Sequence, residues 1–517
     1  MNAYRLGSYL RGPHPRRSPG LKLLRSSSLA LLGCSSLALL AVACGGDDPT
    51  IINPAAGAGG SGGTGTGSGG SQTANAGTSS GGTAATGTGG TSGTGGGAGT
   101  GGASGDAAEE HITGEIGADA TWSAGTKYIL DDVTYVTNGA TLTIEAGTTI
   151  EGGGVGSALI VTRGSRLVAE GTAAAPIVFT SAVDEGLRDA GDWGGVALLG
   201  AATVNVEGPQ LEGIEALGEQ GALGAYGGTD DAHDCGSLEY VRIEFAGFEI
   251  SADNELNGLT LAGCGTATNI DHVQVHRGSD DGIEVFGGKV DIKHAVLSNI
   301  QDDSIDWDFG WTGRAQFLVI RHDDAQSDAG FEADNGNPST EVTPRSEPNI
   351  FNVTLVGGAG STSPGVVLRR GTWGAIHNAI VTGFPVSGVD IRDAFSVDGA
   401  ELDPPRLVIA NSIFFQNGSE GTEHADADGG GDDDDDESFD ENAFLRTEGL
   451  ANRFDLDPGL PDAANVTAPN LVPAATSPAA TGGATPPEGF DVSATYVGAL
   501  PPGGPDWTAG WTAYPED

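Results

Sequence analysis

Short segments of β-branched and aliphatic residues recur along this chain at a nearly constant interval. Gly258–Ala262, Gly282–Phe286, Ser304–Asp308, Gly330–Asp334, Gly365–Arg369 and Gly388–Arg392 follow one another at spacings of 24, 22, 26, 35 and 23 residues. A second series lies between them: Asp271–Val275, Lys293–Leu297, Gln316–Ile320, Asn352–Val356 and Asn378–Val381. Gly, Asn and Asp separate the segments, and no stretch shows helical periodicity. One such unit cannot bury its apolar face alone, so it must stack on copies of itself. The pattern predicts an all-β fold, a right-handed parallel β-helix (β-solenoid). A propeller would need about 40 to 50 residues per blade. Thr141–Ile144, Ala158–Val161, Pro176–Phe179 and Val196–Leu199 carry the pattern towards the N-terminus. The stretches 112–140 and 450–517 are expected to cap the two ends.

The chain before the repeats is different in kind. Six basic residues and no acid precede position 44, and an apolar run of about 15 residues from Leu29 to Ala43 ends at Cys44. That run is too short to span a bilayer comfortably. Small residues before a single cysteine resemble a bacterial lipobox, which implies cleavage before Cys44 and a lipid on its thiol. Residues 1–43 are therefore expected to be a lipoprotein signal peptide. Residues 44–108, rich in Gly, Ser and Thr, should form a disordered tether with a reach of roughly 40 Å. The β-helix is assigned to 109–449, with an acidic loop at 423–442, and the capping segment to 450–517.

Charge narrows the partners. The net charge is −47, and past the basic N-terminus only three lysines remain: Lys127, Lys289 and Lys293. A surface that tracks phosphates is excluded on that balance, so no nucleic acid partner is expected. Divalent cations, neutral glycans and basic partners fit it. Cys235 and Cys264, the two cysteines of the folded part, are expected to pair in an exported chain.

Several segments carry a family resemblance: Leu142–Thr148, Leu167–Thr172, Gly191–Gly195, Leu238–Gly247, Asp253–Gly258, Asp302–Gly310 and Asp506–Trp511. On them the chain resembles the pectin-lyase-like superfamily of parallel β-helices, and more narrowly a group of bacterial surface lipoproteins. The superfamily includes polysaccharide lyases, glycoside hydrolases and adhesins, so the fold alone does not choose among them. The Gly-His-Gly and Arg-Ile-Lys elements of its hydrolases are missing, which argues against a polygalacturonase-type reaction.

Side chains alternate along a strand, which turns Glu284, Asp306, Glu332 and Asp390 outward, with Phe286, Asp308, Asp334, Arg369 and Arg392 two residues later. Coils about 4.8 Å apart would gather Glu284, Asp306, Asp308, Glu332 and Asp334 into a carboxylate patch, with Asp280, Asp281, Asp302, Asp303 and Asp328 at the corners beside it. Bare carboxylates this close repel one another. Three readings remain open: a Ca²⁺ site, a general acid/base pair, and a solvated acidic face. The resemblance implies that Arg369 could serve as the base of a Ca²⁺-dependent lyase; a plain ion pair is the simpler account. His272, His294 and His377 fit a packing ladder better than a zinc site. Trp193, Trp311 and Trp373 are candidates for stacking on sugar rings, while Trp307 falls on the inward register. The functional expectation is a lipid-anchored protein of a bacterial outer membrane and cell surface. It would bind an extracellular polysaccharide or a surface protein and hold a structural calcium ion. The alternatives are a Ca²⁺-dependent polysaccharide lyase acting at 284–334 and a non-catalytic structural or adhesion protein.

Overall fold

The structure, a computed structural model, describes residues 108–212, 219–251, 254–323, 327–336, 341–421 and 439–517. The expected signal peptide with Cys44, nearly all of the tether, and residues 423–438 of the acidic loop lie outside the described residues.

The described chain winds into a parallel β-helix. All its strand pairings are parallel save a short antiparallel hairpin, Phe248–Ser251 with Asn254–Leu256. One column of strands runs Gly195–Leu199, Leu259–Ala262, Ile283–Phe286, Ile305–Asp308, Phe331–Ala333, Val366–Leu368 and Asp390–Ile391. A second column, from Gly236–Glu244 to Gly374–Thr382, is bent in the middle of each strand and so supplies two sheets. Alternation sends Leu259, Leu261, Ile283, Val285, Ile305, Trp307, Phe331 and Ala333 inward, where each is at most 2% exposed. The glycines at the corners are required by close approach: a Cβ on Gly282 would lie 2.6 Å from the Ser304 carbonyl of the next coil. Cys235 and Cys264 are joined as a disulfide between buried corners, as the sequence predicts.

The bend has its own chemistry. It falls at Tyr240, His272, His294, Phe317, Asn352, Asn378 and Asn411, all left-handed with φ between 50° and 64°. The first four rings stack, with centroids 4.3, 4.3 and 4.8 Å apart, and Asp271 Oδ1 lies 2.9 Å and 2.7 Å from Nδ1 of His272 and His294. His377 stacks on Phe351. The histidines are thus packing residues. The rings of His272 and His294 lie nearly parallel, at 27°, and both turn Nδ1 towards the same Asp271 carboxylate.

Both expected caps differ from the structure. Ala108–Ile116 and Thr126–Val136 pair in parallel and form ordinary coils. The 450–517 segment does not simply close the far end. Its last part doubles back along the bend as a strap, because the polar and aromatic corners offer a continuous docking line. Asn411 donates to Gly482 O, Asn378 to Ala484 O, Asn352 to Tyr496 O and Gln274 to Ala513 O. Trp507 and Trp511 stand edge-on to His272.

Candidate functional site

Three successive coils repeat one acidic motif. It reads Asp280-Asp281-Gly-Ile-Glu284, then Asp302-Asp303-Ser-Ile-Asp306, then Asp328-Ala-Gly-Phe-Glu332. Strand pairing places Glu284 beside Asp306 and Asp306 beside Glu332, as the alternation predicts. The corner acids are pinned from coil to coil. The backbone N–H of Asp303 donates to Asp281 Oδ1 at 3.1 Å, and that of Ala329 to Asp303 Oδ1 at 2.6 Å.

These rows form the floor of a cleft of about 540 Å³. The loop before Gly236 adds Glu212 and Tyr226 to its wall, and the antiparallel hairpin adds Glu255 with the adjoining Asn257. Eleven of the eighteen lining residues are Asp or Glu and two are arginines, so full ionisation would leave the cleft far from neutral. Donor oxygens converge in overlapping threes, each within 4.8 Å of one another: Asp281, Glu284 and Asp306; then Asp303, Asp306 and Glu332. The second set is the first moved by one coil, and Asp306 belongs to both. Two corner sets, Asp280–Asp281–Asp302 and Asp302–Asp303–Asp328, repeat in the same way.

Burial sets the electrostatics. It pushes Asp280 and Asp308 up to about 8, helped by Asp302 and Asp334 respectively. Glu212 and Glu332 rise to about 7 for the same first cause. Asp281, Glu284, Asp303 and Asp306 are held well above the usual carboxylate range by burial and by one another. Burial of Asp281, Glu284, Asp303 and Asp308 argues against a freely solvated face. They need protons or cations.

Their donor set suits a hard cation. Every converging ligand is oxygen, which favours Ca²⁺ or Mg²⁺ over zinc or copper. One further oxygen is available. Asn257, 2% exposed, donates through Nδ2 to Glu284 and to Thr260 Oγ1, while its Oδ1 has no hydrogen-bond partner. Asp306 Oδ1 is likewise buried without one. Both oxygens are acceptors that a hard cation could use.

Arg369 does stack one coil beyond Asp334, its N–H donating to Ala333 O. Its Nε donates to Asp334 Oδ1 at 2.9 Å and its Nη2 to Glu332, while Arg370 Nη1 donates to Asp334 Oδ2 at 2.6 Å. Burial opposes the Arg369 charge, yet Asp334 and Glu332 outweigh it and hold its proton more tightly than usual. Arg369 thus makes the plain ion pair of the simpler account. Asp390 is not a cleft acid; it is 1% exposed and bonded to Arg392 Nε.

The aromatic candidates also change. Trp311 is 1% exposed; after Gly310 (φ +89°) its ring packs on Trp307, with Nε1 donating to Val290 O. Trp193 is fully buried and donates to Glu244 O. Trp373 lies outside the cleft lining, under the Arg345 guanidinium 4.1 Å from its ring centre. The cleft aromatics are Tyr226, Phe286 and Phe309. Register alone had placed only Phe286 there; Tyr226 sits in an aperiodic loop and Phe309 just past a strand.

A family model described as a pectate-lyase like beta helix domain matches residues 114–453. The crystal structure of the periplasmic alginate epimerase AlgG matches with 12% sequence identity, covering 59% of this chain and 69% of that chain. The TM-score is 0.25, too loose an overlap to bear on function. No curated protein matches the sequence.

Proposed function

The chain belongs to the pectate-lyase-like β-helix family, and from that premise we propose that its acidic cleft binds an extracellular glycan through divalent cations, calcium foremost. The observation that carries the reading is the pair of three-acid sets one coil apart, with the unpartnered Asn257 oxygen in the same lining. Asp281, Glu284, Asp303, Asp306 and Glu332 would hold the ions. Bound calcium would supply positive charge and open coordination positions for carboxylate or hydroxyl oxygens of a sugar. The chain's own residues supply the rest: Arg369 and Arg370 fix Glu332 and Asp334, and Asn257 orients Glu284. Binding is favoured over lyase chemistry because the two arginines lining the cleft are both engaged by Asp334.

Calorimetric titration of the chelator-stripped protein with Ca²⁺ should give a stoichiometry of two or more. Acidic oligosaccharides should then bind only with calcium present, without a rise in absorbance from unsaturated products. Retention of glycan in excess chelator would overturn the cation-bridged reading, and steady unsaturated product would replace the binder by the lyase.

The same reading places the protein outside the cytoplasm, held to a bacterial outer membrane by lipid on Cys44. One acyl-bearing cysteine then carries all the membrane affinity, so Cys44→Ser should shift the protein from the membrane to the soluble fraction. A variant that still sediments with membranes would refute the anchor.

A further inference from the structure

The cleft is not acidic throughout. Tyr226, Phe286 and Phe309 form a stacked column in its lining, with ring centres 5.9 and 5.6 Å apart and planes tilted by 29° and 24°. Tyr226 and Phe286 are buried, whereas Phe309 is only half-buried.

Phe309 is held in an unfavourable backbone state. It follows Asp308, which pairs with Phe286, which in turn pairs with Ala262. The residues after Ala262 and Phe286 are Gly263 and Gly287, both left-handed, with φ of +62° and +64°. At this corner two coils use the residue that adopts such angles without strain. The next coil places Phe309 there at φ +50°, and a later one places Arg370 at φ +50°. A side chain in this conformation costs roughly 1–2 kcal/mol that glycine would not. Phe309 and Arg370 line the cleft, whereas the left-handed residue one coil further, Asp393 at φ +70°, caps a helix outside it. Arg370 uses its position to bind Asp334; the Phe309 ring rests on Phe286 and packs against the small apolar cluster around it, leaving part of its surface in the cleft. Backbone strain retained at a concave site marks a side chain needed for what the site holds.

We propose that Phe309 is the stacking platform for one sugar ring of the bound glycan. The apolar face of a pyranose lies on the phenyl ring, while its acidic substituent points along the floor towards Asp308 and the cation-binding rows. This deepens the glycan-binding reading and rests on it. It selects saccharides with one flat C–H face and a charged edge, and disfavours flexible polyanions such as acidic peptides.

The test uses the full chain, saturated with Ca²⁺, and hexamers of galacturonate and of mannuronate as probes. Phe309→Leu keeps the bulk against Phe286 but removes the ring, and Phe309→Gly also relaxes the backbone. Both should weaken binding of whichever hexamer the wild type takes by about five- to tenfold. Phe309→Tyr should stay within about twofold of wild type, and calcium affinity should be the same in all four proteins. Equal glycan affinity in the wild type and Phe309→Gly would overturn the platform while leaving the glycan-binding reading intact. A parallel loss of calcium affinity in Phe309→Leu would also overturn it, because the residue would then only be supporting the cleft. Failure of the wild type to bind either hexamer would defeat the glycan-binding reading and the platform together.

Discussion

Stripped of divalent cations, the protein should lose stability as pH rises from about 4.5 to about 8, and calcium should abolish that loss. The cleft carboxyls have folded-state pKa values raised above their unfolded ones. Their contribution is therefore fully present below the unfolded carboxylate range and disappears as pH climbs through about 7 for Glu212 and Glu332 and about 8 for Asp280 and Asp308. Below about pH 6.5 the window overlaps that of the histidines, which act in the opposite sense. Burial depresses His276 and His322 to about 4, so their cost appears only on acidification below about 6.5. Calcium replaces the lost protons and stabilises by mass action, about 2.7 kcal/mol per site at a hundredfold excess over Kd. Two sites would raise the melting temperature by roughly 10 °C. Asp306→Asn should separate the terms. It removes the ligand common to both strand sets, so calcium's increment should vanish while the chelated protein at pH 8 becomes more stable than wild type. Melts across pH in chelator and in calcium check this; a flat profile in chelator would remove the basis for the cation site.

The second large effect belongs to the strap. Trp511 is 1% exposed, stands edge-on to Tyr240 and His272, and donates from Nε1 to Trp507 O. Trp511→Ala should cost about 3–5 kcal/mol. Ending the chain at Thr481 should be worse. It would uncover Val296, Val319 and Val356, which pack with Ala499, Leu500 and Trp511, and leave the amides of Asn352 and Asn378 without their carbonyl partners. Burial of that apolar set and its hydrogen bonds together exceed about 10 kcal/mol, so no cooperatively folded product is expected. Thermal melts and soluble yield measure both. A truncated chain that melts like the full one would show that the strap merely rests on the coils.

The coil period and the inward and outward faces were legible because both follow from two-residue alternation, a local rule. The same rule aligns Glu284, Asp306 and Glu332 from the sequence alone. It could not show that these outward acids would be buried, since the walls that bury them come from the loop carrying Glu212 and Tyr226 and from the hairpin beside Asn257. Neither has a period. Trp311 misled because a corner position suggests exposure, whereas Gly310 turns the chain back into the core. The strap escaped notice for a different reason: its partners are single side chains on seven coils, and its own sequence carries almost no regular structure.

Stacked repeats ordinarily behave as a one-dimensional chain, each unit coupled only to its neighbours, so that ends fray one coil at a time. A segment tied at Asn411 and again at Gln274 changes the dimensionality of that problem. It couples coils that never touch, and a terminal coil cannot open without loosening contacts shared with distant ones. The strap follows all of these coils in the sequence, and its docking line exists only once every coil from Tyr240 to Asn411 is in register. Its closure thus converts a ladder that could melt piecemeal into one cooperative body, with the acidic cleft inside the clamped interval.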